Sequence, residues 1–363
     1  MTRRSAESGF SLIELLVATG IFLIITGIVA SALKQITQSQ TTIWNRTQMH
    51  SGVRGATELM QQEVGQAGRM AIPPLWIDQT NADIVGQNTI GALCDSSNPG
   101  VNATTIKVNT GGIPLKGLYA TGGTLPASYV LVTTMDGANR ETVPVWSINT
   151  SVTPPTITAC FNSDHKVSVP GQPVSLVVLG GFANGIVPPT GVPNGSTANV
   201  LKMFGDINGD ATSPTGQMVY VEYTCDTTVT HKLYRNVMAI DTPPAAKPPL
   251  SDALVLLSNV MPHPDGSTGC FTYQIVPDPA HIPPDPQIIV QGQPVTFVLD
   301  VAITLTVQTQ QKDPITGQNQ TETKALLNVS PRNVFNAWQL AGAGFSDHLQ
   351  STPATVTALL AVP

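Results

Sequence analysis

Gly9-Phe10-Ser11-Leu12-Ile13-Glu14-Leu15-Leu16-Val17-Ala18-Thr19-Gly20-Ile21-Phe22-Leu23-Ile24-Ile25-Thr26-Gly27-Ile28-Val29-Ala30-Ser31-Ala32-Leu33 is the stretch from which this chain has to be read. Among the 24 residues from Phe10 to Leu33 the one ionisable side chain is Glu14; the others are apolar, small or hydroxylated. As a helix the run is about 36 Å long, enough to span a bilayer. A carboxylate inside hydrocarbon costs roughly 2.5–3.5 kcal/mol even on the lenient insertion scale, so Glu14 calls for a partner. A cut between Gly9 and Phe10 supplies one, because the new α-amino group lies one helical turn from Glu14 on the same face.

The segment Gly9-Phe10-Ser11-Leu12-Ile13-Glu14-Leu15, following a short leader that carries Arg3 and Arg4, closely resembles the type IV prepilin signature. That family includes pilins, minor pilins and the pseudopilins of type II secretion. The resemblance implies that Gly9 is the last leader residue, Phe10 the cleaved and N-methylated residue, and Glu14 the assembly carboxylate. It also implies the partners: a prepilin peptidase/methyltransferase, other pilin or pseudopilin subunits, an inner-membrane assembly platform and the membrane itself. The implied location is a single pass of the bacterial inner membrane with the C-terminal domain in the periplasm, then a pilus or pseudopilus at the cell surface.

Two plainer readings compete. In an ordinary secretory signal, Ala30-Ser31-Ala32 is the cleavage site and Leu33 the mature start, but the apolar run exceeds the usual 7–15 residues, roughly, and carries a carboxylate in its first turn. A plain anchor, held by Arg3 and Arg4 on the cytoplasmic side, leaves Glu14 without a reason.

Beyond Leu33 the helical pattern continues without proline to residue 70, and Val53, Ala56, Met60 and Val64 recur at the three- and four-residue steps of an amphipathic face. Gly52, Gly55, Gly65 and Gly68 weaken this helix, and Pro73-Pro74 is expected to end it. Short strands separated by Gly, Pro and Asn turns follow, at 104–108, 128–134, 142–148, 155–160, 173–179, 217–223, 231–237, 252–260 and 270–276. The clearest strand is 295–307, where Val295, Phe297, Leu299, Val301, Ile303, Leu305 and Val307 alternate with mostly polar residues. Asp313-Pro314 and Thr316-Gly317 then make its turn, and 321–330 returns.

The expected fold class is α+β: a long pilin-type helix, transmembrane in its first half, packed on a large, mainly antiparallel β head. The expected division is 1–9 leader, 10–33 membrane and assembly half, 34–72 amphipathic half, 73–335 head, and 336–363 a flexible tail. The stretch from Lys202 to Arg235, with Tyr223 and Leu233-Tyr234-Arg235, and Ser330-Pro331-Arg332-Asn333 further on, resembles the heads of PilW-like minor pilins and J-type pseudopilins.

Charged residues make up 11% of the chain and the net charge is −6, which gives no support to nucleic-acid binding by counterion release. Cys94, Cys160, Cys225 and Cys270 form no C-x-x-C and stand near no His cluster, so in an exported domain they read as disulfide candidates. Of the three pairings, the sequential one, Cys94 with Cys160 and Cys225 with Cys270, brackets the strand runs best. Asp206, Asn208 and Asp210 have the oxygen spacing of a calcium loop, but Ala211 and Gln217 stand where its glycine and glutamate belong, so an Asx turn with no cofactor is the stronger reading and a calcium site the alternative. No H-E-x-x-H, G-x-S-x-G or P-loop occurs, and the chain reads as a structural subunit with no enzymatic activity. A filament-tip adhesin or substrate-binding module is the first alternative, and an exported, membrane-anchored β-rich hydrolase the second.

Overall fold

The structure is a computed structural model. It describes residues 11–69, 75–87, 91, 102–109, 130–134, 139–149, 151–167, 169, 173–179, 182–207, 218–240, 242–278, 280–283, 285–290, 293–344, 346, 349 and 352–362. The chain is α+β: one very long N-terminal helix followed by antiparallel sheets.

Helix α1 (Leu12–Gln66) has 55 residues, hence a length of about 82 Å. Its two halves live differently. From Ser11 to Thr37 every residue is exposed, whereas Asn45, Val53, Ala56, Thr57, Met60, Glu63 and Val64 are buried against the head. The helix stops at Ala67 and Gly68, before Pro73-Pro74, which lies outside the described residues. The reason is tertiary. Gly68 adopts φ +76°, and its backbone is crossed by two other glycines: a Cβ on Gly185 would overlap it, and one on Gly205 would come within 2.9 Å of its nitrogen. Backbone hydrogen bonds from Gly68 N to Phe204 O (2.9 Å) and from Phe182 N to Gly68 O (3.2 Å) hold the crossing.

After this point the chain builds a closed six-stranded barrel from β1 (Leu75–Ile77), β2 (Thr104–Asn109), β3 (Val130–Thr134), β4 (Thr142–Asn149), β5 (Thr156–Ala159) and β6 (Ser175–Leu179), in the order β1-β2-β5-β4-β3-β6. Ile77, Ile106, Val108, Val143, Ile157 and Leu176 fill its interior. The chain then returns to α1.

Strands β7 (Val200–Gly205), β8 (Val219–Asp226), β9 (Lys232–Ala239) and β10 (Val255–Ser258) form an antiparallel sheet ordered β10-β9-β8-β7. This sheet is a wall with two dry faces. Leu201, Met203, Val221, Tyr223 and Leu233 pack on Val53, Met60 and Val64 of α1, while Phe204, Tyr220 and Met238 join the barrel core. A second sheet has β15 (Phe297–Gln308) at its centre, with β11 (Val260–Met261) and β12 (Phe271–Val276) on one side and β16 (Thr321–Val329) on the other. Its Val301, Ile303, Leu305 and Val307 close the α1 core from the other flank, as the alternation along 295–307 requires. A small hairpin, β13 (Ile288–Val290) with β14 (Gln293–Val295), completes the strands.

The stretch expected as a tail, 336–363, holds most of one helix and the whole of another. Helix α2 (Arg332–Gly342) buries Val334 and Ala337 in a third core with Phe297 and Leu299, and helix α3 (Ala354–Leu360) buries Val356, Leu359 and Leu360 in the core shared with the barrel. Both helices carry apolar residues at three- and four-residue steps, a pattern that lowered hydrophobicity in the intervening 343–353 obscures.

Candidate functional site: the free half of the N-terminal helix and its anchorage

The free half begins with a reciprocal cap. Ser11, with φ −71° and ψ 143°, accepts a hydrogen bond from Ile13 N on its Oγ (3.2 Å), and its own N–H donates to Glu14 Oε2 (3.0 Å). Two of the orphan amides of the first turn are thereby satisfied, and a carboxylate in that turn also suits the helix dipole. The Glu14 carboxylate thus reaches back to the backbone of Ser11, the residue next to Phe10, at which a processed chain would begin. Gly9 and Phe10 themselves lie outside the described residues. Along the helix, Ile13, Glu14, Val17, Ala18 and Ile21 line a shallow surface notch.

The remaining hydroxyl groups of the apolar run are satisfied within the helix. Thr19 Oγ1 donates to Leu15 O (2.9 Å), Thr26 Oγ1 to Phe22 O (2.7 Å) and Ser31 Oγ to Ile28 O (2.8 Å). This is what hydrocarbon demands of a hydroxyl, since lipid offers it no partner. The segment is long and apolar enough to cross a membrane, and none of its apolar window is buried in the protein.

The covered half is fixed by a charged contact that the apolar pattern did not reveal. Glu63, buried on α1, accepts a hydrogen bond from the Tyr223 hydroxyl of β8 and is gripped by the Arg235 guanidinium of β9, with Nε at 3.1 Å and 3.3 Å from its two oxygens and Nη2 closer still. Tyr223 and Arg235 face each other across the β8–β9 pair, so one row of the sheet presents both donors. Burial, and next the Glu63 carboxylate, push the Tyr223 phenol well above its ordinary pKa, so it stays a donor throughout the accessible range. Tyr223 and Arg235 fall within the 202–235 stretch that the sequence singles out; the signal for Glu63 is its place three residues after Met60, on the buried face.

The other sequence candidates separate. Cys225 and Cys270 are joined in a disulfide that links β8 to the start of β12, and so ties together the two sheets flanking α1. Cys160 is also disulfide-bonded, and Cys94 lies outside the described residues. Asp206 faces Arg69 (Oδ2 to Nε 3.5 Å) and its N–H donates to Arg69 O (2.8 Å), so it braces the turn after α1; Asn208 and Asp210 lie outside the described residues. Among the described residues no three His, Cys, Asp or Glu side chains are grouped to hold a metal ion.

Comparison with known families gives one match: residues 4–30 fit the prokaryotic N-terminal methylation motif. The chain therefore carries at its N-terminus the hallmark of type IV prepilin-like proteins, on a helix whose matched half is bare. No curated protein and no solved structure matches it.

Proposed function

We propose that the chain is a structural subunit, a minor pilin or pseudopilin, held in the bacterial inner membrane by the first half of α1 with its head in the periplasm. A prepilin peptidase removes residues 1–9 and methylates Phe10, and the subunit then joins other pilins or pseudopilins on an inner-membrane platform, at initiation or at the tip of the filament. The observation that carries this reading is the coincidence of the methylation motif with a helix whose apolar half no part of the head covers. Some 16 large apolar side chains from Leu12 to Trp44 are exposed, and water cannot be their working solvent. Lipid before assembly, and neighbouring helices after it, supply what the head leaves out. The size of the head and the resemblance of 202–235 favour a PilW-like minor pilin or a J-type pseudopilin.

Processing provides the test. Mass spectrometry of the membrane-extracted protein is expected to find a mature chain beginning at methylated Phe10. Gly9→Val should leave the full-length precursor, because a branched side chain crowds the peptidase site. A mature start at Leu33 would instead establish an ordinary secretory signal and end the prepilin reading.

A further inference from the structure

The face of the β7–β10 sheet that looks toward the barrel carries a polar row beside Phe204, Tyr220 and Met238. Lys202 on β7, Glu222 on β8 and Asn236 on β9 are direct cross-strand partners, so their side chains stand next to one another on that face. Lys247 joins them from the connection between β9 and β10, just after a short turn of 3-10 helix (Pro244–Ala246). All four residues are buried. Glu222 Oε2 accepts from the Tyr220 hydroxyl (2.8 Å) and from Lys247 Nζ (3.0 Å), and Lys202 Nζ lies 3.9 Å from it. Lys247 Nζ also donates to Val362 O (2.6 Å), just past α3.

Two features of this cluster are out of balance. Two ammonium groups share one carboxylate among the described residues, and burial makes a second, unmatched cation costly. Asn236, 2% exposed, donates from Nδ2 to Pro248 O (2.8 Å), while its Oδ1 has no hydrogen-bond partner among the described residues. The contact with Pro248 sets the Asn236 amide against the residue that follows Lys247, and the strand pairing sets it beside Glu222, which Lys247 grips. Amine, carboxylate and carboxamide are therefore neighbours, the Cβ atoms of directly opposite residues such as Glu222 and Asn236 being about 5 Å apart. We propose that Lys247 Nζ and Asn236 Cγ become joined by an amide bond, formed within the folded head with Glu222 as the proton carrier. In a dry site an ammonium and a carboxylate pass readily into a neutral amine and acid, because burial disfavours charge. The freed Lys247 amine attacks Asn236 Cγ and the new C–N bond forms as the bond from Cγ to Nδ2 breaks. Glu222 hands the two protons given up by Nζ to Nδ2, which leaves as ammonium, and Glu222 ends as the carboxylate it was at the start. No oxidant or other reactant is consumed. The departing charge is the unmatched one, so Lys202 and Glu222 remain as a balanced pair. The bond pins the β9–β10 connection to β9 and, unlike the Cys225–Cys270 link, is indifferent to reductant.

The test is the intact mass of the membrane-purified protein, read after reduction of its disulfides. The expected mass is about 17 Da, one ammonia, below that of the unlinked processed chain. Cleavage before aspartate separates the two partners, because Asp241 lies between them and Asp226 and Asp252 flank them; peptides 226–240 and 241–251 should run as one linked species. Asn236→Asp should lose water in place of ammonia, a deficit of about 18 Da, whereas Lys247→Arg and Glu222→Gln should show no deficit. A wild-type chain of full mass, with the two peptides separate, overturns the bond and leaves Lys247 as an ion-pair partner. A linked peptide that joins Asn236 to Lys202 overturns the assignment to Lys247.

Discussion

Glu14→Leu is expected to leave membrane insertion and cleavage after Gly9 intact while recruitment of the subunit into filaments falls at least about tenfold, the equivalent of ~1.4 kcal/mol. In lipid, apolar helices gain nothing from the hydrophobic effect by associating, so packing and polar contacts must set their alignment. A carboxylate paired with the amine of a neighbouring chain does this chiefly through the cost of the alternatives: a buried charge left without its partner costs roughly 3–5 kcal/mol, which rejects every axial register but one. Glu14 also caps its own helix, and the two roles can be separated. Glutamine can replace glutamate in a capping box, so Glu14→Gln keeps the hydrogen bond from Ser11 N–H and loses only the charge. It should fail in recruitment almost as badly as Glu14→Leu. Glu14→Asp, with shorter reach, should be intermediate. The measurement is the amount of subunit in sheared filaments relative to processed protein in the membrane. Full recruitment of Glu14→Gln alongside failure of Glu14→Leu would make the cap the essential element; full recruitment of both would remove the register role from Glu14 and leave only a seat at the very tip, with no neighbour above.

The second large effect concerns the head. Glu63→Leu strips the acceptor from the buried Tyr223 hydroxyl and leaves the Arg235 guanidinium facing an apolar helix. Because the Arg235 side chain is 27% exposed and can partly rehydrate, the loss belongs at the lower end of the range for a broken buried pair, about 3 kcal/mol. For a protein of this size that is a fall in Tm of roughly 6 °C. The double variant Glu63→Leu/Arg235→Leu removes both charges and should recover a large part of that loss, since what is costly is the unpaired ion. Thermal unfolding of the four proteins of this cycle, all full length in the same detergent, gives the coupling. Losses that simply add would mean that Glu63 and Arg235 are neighbours without being partners, and that packing alone seats α1 on the sheet.

The parts legible in the sequence are those where one physical cause acts alone. The apolar run and its single carboxylate gave α1, and strict alternation from Val295 to Val307 gave β15 within two residues at its start. Strand β7 left no such trace. Both its faces are buried, so Val200-Leu201-Lys202-Met203-Phe204-Gly205 has no period of two, and Lys202 breaks it as an apolar run. That lysine is buried for a reason invisible in sequence: its ammonium donates to Asn194 O (3.0 Å) and shares Glu222 with Lys247. The exact end of α1, Gln66, has a similar long-range cause. Prolines 73 and 74 are the local signal, but the helix yields earlier because Gly185 and Gly205, more than a hundred residues away, need the space at Gly68. Long-range causes of this kind have no local signature, and Glu63 was missed because its partners lie on β8 and β9.

The glycine crossing also says something about how such a head can change over evolutionary time. The chain leaves α1 at Gly68 and is back at Phe182 within one backbone hydrogen bond of its point of departure. The described strands between them close on themselves, the first and last of the barrel, β1 and β6, being paired to each other. A closed barrel has no free strand edge through which its pairing could depend on the rest of the head. The barrel is thus a module that leaves and rejoins the helix-bearing scaffold at one point: it can be enlarged, exchanged or dropped without rethreading any described segment that touches α1, at the expense of baring Phe204, Tyr220 and Met238 on the back of the shared sheet and Val356, Leu359 and Leu360 of α3. Surface chemistry carried by the barrel is free to diverge while the helix-bearing scaffold stays constant.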